Sequence, residues 1–166
     1  MNDGNKIKFA VAGLGHIGKR HGAMISQNAE CEWVAGCDML PEADVKFTTH
    51  KPTHYFNSLE DLLKSNTEFD VLSIATPNGF HEEHALMGLK AGKHVVIEKP
   101  MALTKAGCEK IIYEALHQHK QVFCVMQNRY SPTSVWLKDI LRQGILGKIF
   151  LVQVNCYWNR DERYYT

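Results

Sequence analysis

The sequence predicts an α/β fold built on a doubly wound parallel sheet, and three observations predict it. Short apolar runs alternate with helix-length segments through most of the 166 residues. The runs are nearly unbroken, as in DVLSIA at Asp70–Ala75, which suits a parallel strand covered on both faces. The first run, Ile7 to Ala12, ends in Gly13-Leu14-Gly15-His16-Ile17-Gly18, a G-x-G-x-x-G placed after a strand and before a helix.

Each glycine of that turn has its own work. Gly13 lets the chain leave the strand sharply, Gly15 lets a pyrophosphate come close to the backbone, and Gly18 lets the helix pack tightly on the strand. The helix begins with unpaired N–H groups and a partial positive charge, both of which favour a diphosphate. His16 and Ile17 lie inside this turn, and His16 is placed to line the cofactor site. A second strand, Trp33 to Cys37, ends at Asp38, about 20 residues after the last glycine, where such folds keep the acid that takes the ribose hydroxyls. A tight turn with a solvated Asp is the plainer reading. The agreement of strand, glycines, helix, strand and acid favours a dinucleotide. The carboxylate of Asp38 repels a 2′-phosphate and no arginine follows it at once, so NAD is expected, with NADP possible. Lys46 is the nearest base after it.

The other elements follow in order. The first helix is predicted from about His16 to Gln27, with His21 read as a surface histidine. Pro41 suits the first turn of a short polar helix around Glu42 to Phe47. Thr53 to Phe56 reads as a third strand. Ser58 caps the next helix, with Asp61 in the place of a capping-box Glu and Leu59, Leu62 and Leu63 on its buried stripe. The fourth strand, Asp70–Ala75, stops at Thr76-Pro77-Asn78-Gly79, at the strand end where doubly wound sheets collect ligands. A helix from His81 to Ala91 is closed by Gly92. His94 to Ile97 is the fifth strand, ending in Glu98-Lys99-Pro100. Thr104 caps a helix to about His119, and Val122 to Met126 is the sixth strand, ending in Gln127-Asn128-Arg129-Tyr130. Ser131-Pro132 opens a helix to about Gln143 with Trp136, Ile140 and Leu141 on its apolar side, and Lys148 to Trp158 reads as one more strand. A helix and a strand do not make a core. The sequence therefore divides into a dinucleotide-binding domain at 1–127 and, at 128–166, the opening of an incomplete α+β second domain.

Composition excludes several classes. The net charge of +1 argues against a nucleic-acid surface. No apolar run approaches the roughly 20 residues of a membrane span, and no signal-peptide core opens the chain, so a cytosolic protein is expected. Five cysteines with no C-x-x-C pair suggest neither a disulfide framework nor a zinc site. His81 and His84, in H-E-E-H, lack the spacing and further ligands of a metal site.

The motifs AGLGHIG, ATPNGFHEEHA, HVVIEKPMALT and GILGKI together resemble the N-terminal part of the Gfo/Idh/MocA oxidoreductases, from Lys6 to about Arg160. MQNRYSP and YWNRDERYY are most similar to the nucleotide-sugar 3-dehydrogenases of that family, of the UDP-N-acetylglucosamine and UDP-N-acetylglucosaminuronate type that serve surface-polysaccharide synthesis. The resemblance implies hydride transfer between a sugar, or a nucleotide sugar, and a nicotinamide cofactor. It implies that Lys99 hydrogen-bonds the reacting hydroxyl and moves its proton; a solvated lysine or a partner for Glu98 is the plainer reading. It places Glu98 at the ribose hydroxyls, where an ion pair inside the site is the alternative. Thr76, Pro77 and Asn78 form a second cofactor-facing turn, Asn78 being able to donate and accept. His81 would contact the cofactor or orient Glu98. Gln127 and Arg129 are expected on the same rim, with Arg129 open between cofactor and a substrate diphosphate. Trp158, Asn159 and Arg160 are expected at a substrate pocket. The resemblance also implies a cis Lys99–Pro100 bond, where trans is the default for sequence alone. The family's G-G-x-x-x-D-x-x-x-H motif, with its acid/base His, does not occur in the 166 residues, so the chain taken alone is expected to bind cofactor and turn over negligibly. A binding module without chemistry is the alternative. Association of chains through 148–158, or a disordered end, is expected.

Overall fold

The computed structural model describes residues 6–47, 49–159 and 161–162. They form two compact units, Met1–Met126 and Gln127–Thr166.

In the first unit six strands lie in the order β3-β2-β1-β4-β5-β6. They are β1 (Ile7–Ala12), β2 (Cys31–Cys37), β3 (His54–Phe56), β4 (Val71–Ile74), β5 (His94–Ile97) and β6 (Val122–Cys124). Every pairing is parallel. The order reverses between β1 and β4, so the carboxyl ends of these two strands open a crevice where nothing crosses over.

Alternation along β1 sends its side chains to two cores. Ala10 and Ala12 join a cluster with Leu62, Leu72, Ile74, Leu89, Val95, Ile97 and Ile111, which α2 (Leu59–Lys64), α3 (His81–Lys90) and α4 (Lys105–His117) cover. Val11 faces the other way, with Leu14, Trp33 and Val45, and Ile25 of α1 (His16–Gln27) packs against them. The fit of α1 is close: a Cβ at Gly22 would stand 2.3 Å from the Trp33 ring.

Local signals set the ends of these elements. Ser58 and Thr104 accept from the backbone N–H of Asp61 and Gly107 at 3.0 Å, and Ser58 also donates to the Asp61 carboxylate at 2.7 Å. Gly92, at φ +73°, ends α3.

The predicted helix from Glu42 to Phe47 is instead a single 3-10 turn, Glu42–Asp44. Few apolar side chains there reward a longer helix, and Val45 turns into the core.

The second unit holds a 3-10 turn, Gln127–Tyr130, and α5 (Pro132–Arg142), capped by Ser131 accepting from the Ser134 N–H. The apolar side of α5 is not buried: Trp136, Leu137 and Leu141 are exposed. The predicted strand from Lys148 to Trp158 is absent among the described residues. A strand is held by the ladder of a neighbour, and this segment has none. Its β-branched and aromatic residues stand in solvent instead, with Phe150, Leu151, Val154 and Tyr157 more than four-fifths exposed.

Candidate functional site: the crevice above β1 and β4

The glycine turn forms the floor of the crevice. Gly13 has φ +83°, and a Cβ on it would lie 2.7 Å from both the Ala75 carbonyl oxygen and the Thr76 nitrogen. The turns after β1 and β4 thus touch through bare backbone. A Cβ at Gly18 would stand 1.7 Å from the Gly13 carbonyl oxygen, so helix and turn also pack without a side chain between them. At Gly15 a Cβ would meet nothing within 4 Å. This glycine fills no packing need of the protein and leaves open space at the N-terminus of α1, which is what close approach of a phosphate requires.

That space belongs to a cavity of about 820 Å³, within the range of small-molecule sites. Gly13, Gly15, His16, Ile17, Asp38, Thr76 and Pro77 line it, together with Met39, Leu40, Val45, Leu59 and Phe80. Asp38 is fixed from two sides: its Oδ2 accepts from the Leu14 N–H at 2.6 Å and its Oδ1 from the Leu40 N–H at 3.0 Å. Each oxygen keeps an acceptor position for a hydroxyl. Tyr55 donates its hydroxyl to the Leu40 carbonyl oxygen, and burial, with Asp38 adding, pushes the phenol up to about 12. Cys37, beside Asp38, is also pushed up to about 12, first by burial and then by Asp38; it is a core thiol and no nucleophile.

The second turn is organised by histidines. His81 is fully buried, with Nε2 at 2.8 Å from the Thr76 carbonyl oxygen and Nδ1 at 2.7 Å from that of Pro100. It ties the turn after β4 to the turn after β5 and does not meet Glu98. His84, one turn on, sets Nδ1 3.0 Å from the Thr76 hydroxyl and stacks on Phe80. Burial lowers its pKa, with Glu83 and Glu60 pulling the other way. Asn78 begins a 3-10 turn and is exposed.

Glu98 and Lys99 follow β5, and the Lys99–Pro100 bond is cis. Lys99 is exposed, whereas the Glu98 side chain is only 13% exposed. Glu98 Oε2 accepts from the Lys99 N–H at 3.2 Å, and Oε1 lies 3.1 Å from His21 Nε2. His21 is therefore not a surface histidine. It faces the sheet, and its Nδ1 stands 2.8 Å from the Ser73 hydroxyl of β4. Its spacing carried a signal: Gly18, His21, Gly22 and Ile25 recur at i, i+3, i+4 and i+7 on one helical stripe. Gln127 and Arg129 lie on the 3-10 turn of the second unit, and Arg160 is outside the described residues. Among the described residues no three His, Cys, Asp or Glu side chains could hold a metal ion, and no helix is long and apolar enough to cross a membrane.

The donor set fits a dinucleotide: free N–H groups and open space at a helix N-terminus, a held carboxylate, and an apolar-walled cavity between them. Comparisons with known proteins agree. Residues 7–126 match the model of the GFO_IDH_MocA family, described as an oxidoreductase family with an NAD-binding Rossmann fold. The WlbA dehydrogenase of Bordetella pertussis, solved with NADH and UDP-GlcNAcA, is 35% identical with a TM-score of 0.88, over 99% of this chain and 48% of that one. Its counterpart from Chromobacterium violaceum, solved with the same two ligands, is 32% identical with a TM-score of 0.89, again over 99% and 48%. D-glucoside 3-dehydrogenase of Escherichia coli is 29% identical over 147 residues, 87% of this chain and 42% of the relative. The chain thus spans less than half the length of each of these relatives. With its residues 7–126 matched, its six-stranded sheet in dinucleotide-binding order and its glycine turn open to a cavity, the chain belongs to the Gfo/Idh/MocA oxidoreductase family and carries that family's NAD-binding Rossmann fold.

Proposed function

We propose that the chain is the cofactor-binding part of a dehydrogenase that moves hydride between a sugar, most specifically the sugar ring of a UDP-N-acetylglucosaminuronate-type nucleotide, and NAD. One observation carries the cofactor reading: the open space at Gly15 faces the same cavity as the Asp38 carboxylate. The sugar reading is supported by the likeness to the two WlbA dehydrogenases, together with MQNRYSP and YWNRDERYY in the sequence.

The residues then divide the work. The N–H groups at the start of α1 take the pyrophosphate, and Gly15 makes room for it. Asp38 accepts from the adenosine ribose and repels a 2′-phosphate, so NADP binds more weakly. Thr76, Pro77 and Asn78 bound the nicotinamide side, and Glu98 offers its remaining acceptor positions to that ribose. The bound nicotinamide supplies the hydride acceptor or donor. Lys99, exposed at the carboxyl end of an interior strand, hydrogen-bonds the reacting oxygen and takes or returns its proton. Arg129 would meet a diphosphate of cofactor or substrate. A binding module without chemistry is the second reading, favoured for the chain taken alone because the 166 residues contain no G-G-x-x-x-D-x-x-x-H.

The test joins residues 1–166 to the remaining half of the Bordetella WlbA protein and follows NADH formation from NAD and UDP-GlcNAcA. Turnover that Lys99→Met abolishes is the expected result. A chimera that binds NADH but oxidises no nucleotide sugar, or one whose turnover survives Lys99→Met, overturns the substrate or the lysine assignment respectively.

A further inference from the structure

We propose that His21 is a positioning residue, which holds Glu98 for the nicotinamide half of the cofactor and so couples the phosphate-binding helix to the Lys99 turn. The proposal rests on the NAD-dependent reading of the site. Its ground is a chain of contacts linking three elements. His21 rides on α1, one and a half turns beyond the N-terminus that faces the phosphates. Its Nδ1 is 2.8 Å from Ser73 Oγ on β4, its Nε2 is 3.1 Å from Glu98 Oε1, and Glu98 Oε2 is 3.2 Å from the Lys99 nitrogen.

A carboxylate with a side chain 13% exposed needs donors. Here each oxygen has one: a ring N–H for Oε1 and the Lys99 N–H for Oε2. With the Nε2 proton committed to Glu98, Nδ1 accepts from the Ser73 hydroxyl, so the tautomer is set by its two partners. Ser73 is 2% exposed within a strand, on the face opposite Leu72 and Ile74. No nucleophile role fits a hydroxyl so enclosed, and the contact with His21 accounts for it. Once both donors are in place, the carboxylate cannot rotate, and the second lone pair of each oxygen keeps a fixed direction.

A purely structural cluster would hold α1 on the sheet and affect the whole cofactor alike. NADH and ADP, which lacks both the nicotinamide and its ribose, separate the two roles. The chain and its His21→Ala and His21→Gln variants are titrated with both ligands, with folding checked by circular dichroism. We expect His21→Ala to raise the Kd for NADH about tenfold, the loss of one charge-assisted hydrogen bond, with ADP within about twofold. His21→Gln, whose amide N–H can replace the Nε2 donor, should recover most of the loss. Equal weakening of both ligands, or of neither, overturns the proposal. A long-range proton–nitrogen spectrum of the ligand-free chain gives an independent reading: His21 should carry its proton on Nε2, and Glu98→Gln should shift that resonance. A ring protonated on Nδ1 alone would overturn the contact. Failure of the unmodified chain to bind either ligand would sink the cofactor reading, and the nicotinamide role of Glu98 with it.

Discussion

Replacing Gly15 with alanine separates cofactor binding from folding. Gly15 precedes α1 at φ −64° and ψ −164°, a backbone alanine adopts, and its Cβ would touch nothing within 4 Å. Two small effects on stability oppose each other. Alanine restricts the unfolded chain, which stabilises by about 0.4–1 kcal/mol. It is a poorer N-cap than glycine, which costs on the order of 0.5–1 kcal/mol. The melting temperature should therefore move by no more than about 3 °C. The same open space is where a pyrophosphate must approach. A methyl group there displaces one charge-assisted N–H···O bond, about 1.5–3 kcal/mol. At 1.4 kcal/mol per decade, the Kd for NADH rises roughly 10- to 150-fold. Nicotinamide fluorescence on titration measures binding, and a thermal melt of the same sample measures folding. Unchanged NADH affinity in a folded Gly15→Ala variant would refute the placement of the pyrophosphate. A loss of affinity matched by a fall of many degrees would refute the claim that the space is empty in the free protein.

Gly18→Ala should do the opposite: its Cβ would fall 1.7 Å from the Gly13 carbonyl oxygen, and backbone cannot yield cheaply, so denaturant unfolding should show a loss of about 1–3 kcal/mol. Asp38→Asn removes the charge that faces a 2′-phosphate, and the ratio of NADPH to NADH affinity should rise by about tenfold; parallel titrations check it. Burial lowers the pKa of His84, so the unfolded chain takes up a proton that the folded ring refuses. The stability His84 contributes is complete above about pH 6.5 and is lost as pH falls through the folded value. The drop in melting temperature on acidification from about pH 7.5 to about pH 5.5 should be smaller in His84→Gln, and equal drops would contradict this.

The sheet and the glycine turn were legible because their signals are local. An apolar run, three glycines at fixed spacing and an acid at the end of the next strand all lie within the stretch from Ile7 to Asp38. Ser58, Thr104 and Ser131 announced their helices for the same reason, since a cap bonds only three residues ahead. His21 was not legible in this way. Its partners are 52 and 77 residues away and meet it only because β4 lies beside β1, and β5 beside β4, in the folded sheet. The engagement of Asp38 with the Leu14 N–H is likewise a product of strand order, which brings the end of β2 to the turn after β1. Lys148 to Trp158 has the composition of a strand, but composition records only fitness for a sheet. Among the described residues no neighbour supplies the ladder, and the preference is not realised there.

The central claim is that the crevice above β1 and β4 holds NAD. Calorimetric titration of the 166-residue chain with NADH, beside an identical titration with NADPH, tests it most directly. Saturation by NADH at one site per chain is expected, with NADPH binding more weakly. A chain that is folded by circular dichroism and saturates with neither, or that prefers NADPH, would contradict it.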